Sequence, residues 1–193
     1  MNRTGTYVAF DGLGKENPCE SDFRYYATLQ AWNSNNNIAF TFVNSHEKAS
    51  AVRDTSKLET LKASIQQRLR GSKNMLVILS SDTRRSGSLL SYEIEMAVDY
   101  YKIPLIITYV DYSVIATPYD LCTRWPFVLS DRIGKSGTAG IHIPFIKDIV
   151  LMAINQFSAS NLPNGNGDSY YIEEVYRSHG LLQSYETFQN KRR

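Results

Sequence analysis

Residues 75–101 read MLVILSSDTRRSGSLLSYEIEMAVDYY, and their character changes twice. Met75–Leu79 is an unbroken apolar run, too short for a helix and suited to a strand buried on both faces of a parallel sheet. Ser80–Ser88 is small, polar or basic, and reads as the loop at that strand's C-terminal end. With Ser88 as N-cap, a helix follows whose Leu90, Ile94, Ala97, Val98 and Tyr101 share one face. It must stop by Ile103, because Pro104 disfavours α geometry in the residue before it. On this helix Glu93 lies roughly 80° from the centre of the apolar face and Glu95 roughly 120° from it, at about 100° per residue. Tyr92 points nearly opposite. Glu93 is therefore expected to be held by packing at the edge of a crevice, close to a helix N-terminus that favours a carboxylate.

Working outward toward the N-terminus, Tyr7–Phe10 (YVAF) reads as the first strand. The loop Asp11–Ser21 follows, and its GLG fits neither the P-loop nor the dinucleotide fingerprint. Ser21 or Asp22 then caps a helix running to about Trp32, with Phe23, Tyr26 and Ala27 inward, and the polar run Asn33–Asn37 ends it. Ile38–Val43 is a second buried strand. Asn44–Thr55 is a long polar connection, and Ser56-x-x-Glu59 is a capping box opening a helix to about Arg70. Leu58, Leu61, Ile65 and Leu69 form that helix's stripe, and Gly71 stands where a C′ glycine belongs.

Toward the C-terminus, Leu105–Val110 is a fourth strand. Residues 113–140 read as mostly irregular, and the GKS at 134–136 lacks the upstream glycine of a Walker motif. Ile141–Pro144 reads as a fifth strand and Pro144–Phe157 as a helix with an apolar stripe. Asn161–Asp168 (NLPNGNGD) has the composition of a linker, and Ser169–Arg193 is Tyr-rich and ends KRR. The order β-α-β-α-β-α-β predicts an α/β fold: a doubly wound, flavodoxin-like parallel sheet over 1–160, with an irregular C-terminal extension over 161–193. Ligands of such sheets bind at the C-terminal strand ends. That rule puts the Asp11, His46, Ser80/Ser81 and Asp111 loops on one rim, joined by Glu93.

Composition narrows the function classes. A net charge of +2, from 21 basic and 19 acidic residues, gives no bulk drive toward nucleic acid or anionic membrane. No apolar run is long enough to span a bilayer, and the N-terminus lacks a signal-peptide core, so a cytoplasmic location is expected. Cys19 and Cys122 fit no metal spacing and read as free thiols. His46, His142 and His179 are scattered, so no metal site is expected. No G-x-S-x-G elbow surrounds the serines. A response-regulator receiver has this topology, but here only Asp11 follows the first strand and Asp82 comes late after the third.

The run VILSSDT, then SGSLLSYEIEMA, then the Pro-led IPLIITYV resembles the TIR-like family of bacterial antiphage defence, and within it the TIR subunit of the Thoeris system. The resemblance covers roughly the first 110 residues. The family's Trp-Val is Leu89-Leu90 here, so an aromatic is replaced while apolar character is kept. The resemblance implies cleavage of NAD as substrate, with no further cofactor, and places the family's catalytic Glu on Glu93. It also places the loop at 44–55 beside the NAD site. The chemistry is consistent with one carboxylate: breaking the nicotinamide–ribose bond builds positive charge on the ribose, which a fixed carboxylate stabilises. Phe10 reads either as a nicotinamide-stacking ring or as plain core. Arg84 and Arg85 read as a pyrophosphate clamp or as a solvated pair, and Asp11 and Ser81 as pocket lining. Aromatics near the rim (Phe10, Tyr92, Tyr109, Tyr112, Trp125) offer surfaces to fold ADP-ribose back on itself. The implied product is a cyclic ADP-ribose isomer that signals to a separate effector protein. Self-association is also expected, with the C-terminal segment as a candidate contact. The alternatives are a TIR-type interaction module that cleaves nothing and a nucleotide-binding sensor.

Overall fold

In the computed structural model, residues 3–13, 22–34, 42–43 and 55–182 are described. The His46 loop, Cys19, the start of the second predicted strand and the last eleven residues of the tail lie outside them. The chain runs β1 (Gly5–Ala9), α1 (Phe23–Ser34), β2 (Phe42–Val43), α2 (Thr55–Arg70), β3 (Ser72–Leu79), α3 (Leu89–Glu95) and β4 (Leu105–Tyr109). It continues through α4 (Phe127–Ser130), β5 (Gly140–Pro144), α5 (Lys147–Gln156), β6 (Ser169–Tyr170) and α6 (Glu173–Ser178). The strands form one six-stranded sheet in the order β2-β1-β3-β4-β5-β6, every pair parallel. This is the doubly wound α/β sheet expected, with one strand more at its far edge.

Alternate residues of each buried strand feed two core layers. Tyr7, Met75, Val77, Leu79, Leu105 and Ile107 meet α2 and α3 on one face, while Val8, Leu76, Ile78, Ile106 and Ile143 meet α1 and α5 on the other. Because β1 and β3 are neighbours, the chain reverses its winding between them. Doubly wound sheets bind their ligands at such a reversal point, beyond the C-terminal strand ends.

Several local expectations shift. On α1 it is Leu29 that is buried beside Tyr26, and Ala27 is exposed. The second helix opens at Thr55, one residue before the predicted cap Ser56. Its last turn does not use a left-handed Gly71; the chain enters β3 directly, and the Ser72 hydroxyl donates to the Arg68 carbonyl at 2.9 Å. Helix α3 widens into a π turn over Met96–Tyr100, closed by Tyr101 N–H on the Met96 carbonyl at 2.9 Å. The extra residue in that turn rotates the following side chains off phase. Tyr101 is therefore only half-buried, although the face through Leu90, Ile94, Ala97 and Val98 is in the core as predicted.

Residues 161–182 pack onto the same body. Strand β6 pairs with β5, Tyr171 and Tyr176 are buried in the α1/α5 layer, and the Tyr176 hydroxyl donates to the Ile115 carbonyl at 3.2 Å. The turn before it is clasped from both sides. Gly134 N–H donates to the Asn166 carbonyl at 2.8 Å, and His142 Nε2–H donates to the Gly167 carbonyl at 2.9 Å. That donation fixes the tautomer, so Nδ1 accepts the Tyr109 hydroxyl at 2.6 Å, and the Tyr109 oxygen accepts Trp125 Nε1–H at 2.6 Å. Burial lowers the His142 pKa to about 4, which keeps this relay neutral. Residues 113–140, read as irregular, hold a 3-10 turn over Pro118–Arg124 and then the short helix α4.

Candidate active site

Glu93 is completely buried. Helix α3 turns it inward against β1, where the Tyr7 hydroxyl donates a hydrogen bond to Glu93 Oε1. The helix-angle reading placed it at a crevice edge, and the correction comes from its neighbours. Helix α2 packs alongside, and Tyr92, expected to point away from the core, is half-buried with its hydroxyl accepting from Gln66 Nε2 at 2.6 Å. Burial and then the adjacent Glu93 charge push the Tyr7 phenol well above its ordinary pKa. The phenol therefore keeps its proton and stays a donor. A carboxylate removed from water is stable only when such donors replace it.

A second polar cluster joins the loops that follow β1 and β3. Asp11, also buried, accepts the backbone N–H of Leu13 and of Arg84, each at 2.9 Å. Arg84 clamps the same carboxylate with Nη2 at 2.7 Å from Oδ1 and Nε at 3.0 Å from Oδ2. Burial alone would raise the Asp11 pKa, but the Arg84 guanidinium and the backbone donors outweigh it and hold it below the usual carboxylate range. Thus Asp11 and Arg84 tie the loops after β1 and β3 together, and Arg84 spends one edge of its fork on that tie. Arg85 points elsewhere, its guanidinium 4.5 Å over the ring of Phe127. Ser81 is exposed on the loop. Phe10 is 5% exposed on the α1 face, stacked on Tyr26 at 5.8 Å and edged by Phe23 at 6.1 Å. Its ring therefore sits in core packing, across the sheet from Tyr7 and Glu93.

Sequence reasoning took Asp22 for a helix cap and missed its position. Its carboxylate is turned to the loop after β3, where Oδ2 accepts the Thr83 hydroxyl at 3.2 Å, and Oδ1 is buried without a hydrogen-bond partner. Burial raises its pKa to about 6, against the hydrogen bonds of Ser80 and Thr83 and with a smaller push from Asp11. A folded-state value above the unfolded one means stability is greatest below the unfolded value and declines as pH rises to about 6. We expect Asp22→Asn to raise urea stability at pH 8 by about 1–3 kcal/mol, with the gain vanishing below about pH 4. Equal gains at both pH values would contradict the assignment.

Of the rim aromatics, Tyr109 and Trp125 are buried in the relay to His142, which leaves Tyr92 and Tyr112 partly accessible. Asp111 is exposed, with a left-handed φ of 70°. The rim loops after β1 and β3 meet as expected through Asp11 and Arg84, and Glu93 sits below them in the α2/α3 layer. No group of three or more metal-ligating side chains occurs among the described residues. No helix among them is long and apolar enough to cross a membrane. The model of the family described as Thoeris protein ThsB, TIR-like domain, matches residues 7–114. This span runs from the Tyr7 that holds Glu93 to just past β4.

Proposed function

The chain belongs to the TIR-like domain family of the Thoeris protein ThsB, a family of antiphage defence, and from that premise we propose that it cleaves NAD with Glu93 as the catalytic carboxylate. The observation that carries this reading is the Tyr7–Glu93 pair. A carboxylate fully withdrawn from water and given a dedicated donor contributes little to stability that an apolar side chain would not match. A buried carboxylate fixed by a dedicated donor is what electrostatic catalysis needs. The transition state for loss of nicotinamide carries positive charge on the ribose, and a preorganised carboxylate in a dry site stabilises that charge far more than one in water.

Bond breaking leaves nicotinamide and a ribosyl cation. Water attack gives ADP-ribose and a proton, whereas attack by an adenine nitrogen of the same molecule gives a cyclic isomer and a proton. A site closed to water favours the second outcome. The proposed product is thus a cyclic ADP-ribose isomer acting on a separate effector. The burial of Glu93 also implies that the isolated chain turns over slowly, with access to the carboxylate requiring a conformational opening. The same burial favours the second reading, a TIR-type interaction module that cleaves nothing.

One assay separates them. Purified protein, alone and with extract of infected cells, is incubated with NAD, and products are resolved by chromatography with mass detection. Nicotinamide together with a species lighter than ADP-ribose by one water is the expected result. ADP-ribose alone would leave an NAD hydrolase without the signal, and no nicotinamide under either condition would leave the interaction module.

A further inference from the structure

We propose that Arg124 is a phosphate-binding residue that acts with Arg85 on the pyrophosphate of a dinucleotide, an inference that rests on reading the rim as an NAD site. The 3-10 turn after β4 ends at Arg124 and sets its guanidinium carbon 4.9 Å over the ring of Tyr112. Three residues on, the Phe127 ring takes the Arg85 guanidinium at 4.5 Å, and Phe127 N–H donates to the Arg85 carbonyl at 2.8 Å. Two guanidinium–aromatic stacks, one from the loop after β3 and one from the segment after β4, are thereby joined through a single stretch of backbone. Tyr112 packs on the core layer that contains Tyr7, Ile94 and Trp125, so this pair lies on the Glu93 face of the sheet.

Charge completes the case. Arg84 is engaged by Asp11, whereas among the described residues neither Arg85 nor Arg124 has a carboxylate within ion-pair distance. Arg124 Nη1 is moreover buried without a hydrogen-bond partner. An aromatic face fixes the plane of a guanidinium but leaves its in-plane donors unused, and those donors match phosphoryl oxygens in a fork. A guanidinium with no carboxylate in reach gains most from a bound anion. A pyrophosphate presents two charged groups to two such forks, and the Tyr112 and Phe127 rings beside them offer surfaces for a base or the nicotinamide. The clamp read from sequence as Arg84 with Arg85 is thus proposed as Arg85 with Arg124.

The test uses the full chain carrying Glu93→Gln, so that nothing turns over, titrated calorimetrically with ADP-ribose, inorganic pyrophosphate and adenosine. Adding Arg124→Gln is expected to weaken ADP-ribose and pyrophosphate about tenfold or more and to flatten their salt dependence, leaving adenosine unmoved. In the otherwise wild-type chain the same change should raise KM for NAD by a similar factor, with the loss falling on KM and not on kcat. Arg124→Lys, which keeps the charge but not the fork, should fall between, and it decides the matter should Arg124→Gln fail to fold. Equal ADP-ribose affinity with and without Arg124→Gln overturns the proposal, as does a parent that binds neither anion. Normal NAD cleavage with KM unmoved sinks this site and leaves the enzyme standing. Arg124-dependent ADP-ribose binding in a protein that cleaves no NAD does the reverse.

Discussion

Replacing Glu93 by Gln is expected to lower nicotinamide release from NAD by about 10²–10³-fold, the usual loss when one preorganised electrostatic stabiliser is removed from a closed site. Gln keeps the volume and can still accept the Tyr7 hydroxyl, so the fold and the α3 packing should persist. What disappears is the negative charge, whose interaction with the ribosyl cation exists only in the transition state. The deficit should therefore appear in kcat and kcat/KM together, with NAD binding little changed. Glu95, two residues on and exposed, is the internal control. Glu95→Gln should retain activity, since a solvated carboxylate on the outer face of α3 is screened from the reacting centre. Equal loss in both variants would show that charge on the helix as a whole is being read and would remove Glu93 from its role.

That Glu93 and Glu95 differ could be read from the helical angle alone, and the structure sharpens the contrast. The angle says which way a side chain leans but not what lies beyond it. Here the missing information was β1, whose period of two turns Tyr7 toward α3 and Phe10 away from it. The parallel sheet was legible because strands covered on both faces are continuous apolar runs, as in Met75–Leu79 and Leu105–Val110. Strand β6 and helix α6 were not, since two residues of strand and six of helix carry no measurable period. They are held by tertiary partners instead, through Tyr176 on Ile115 and Gly167 on His142. Arg124 belongs to no motif. The role proposed for it rests on the turn after β4, which lays it on Tyr112, and Arg124 itself lies beyond the span that the family pattern covers.

The second large effect is expected at Tyr7, a position that composition and pattern present as ordinary strand core. Tyr7→Phe removes one oxygen and keeps the ring, so packing between β1, α2 and α3 is preserved. Glu93 then loses the donor that holds Oε1. Loss of a hydrogen bond to a buried charged group destabilises by about 1.5–3 kcal/mol, and the fold of a chain this size should survive it. Activity should suffer more selectively. Without the phenol the carboxylate is free to change rotamer, which removes it from the geometry the ribosyl cation requires. A drop in kcat of about ten- to a hundredfold with little change in KM is expected, comparable to the loss of other positioning groups. The double variant Tyr7→Phe/Glu93→Gln gives the sharper reading. If Tyr7 acts only through Glu93, adding Tyr7→Phe to Glu93→Gln costs almost nothing further in kcat. If the two losses multiply, Tyr7 is not positioning Glu93 but contributes by some separate route, and the buried pair is a packing feature beside the site.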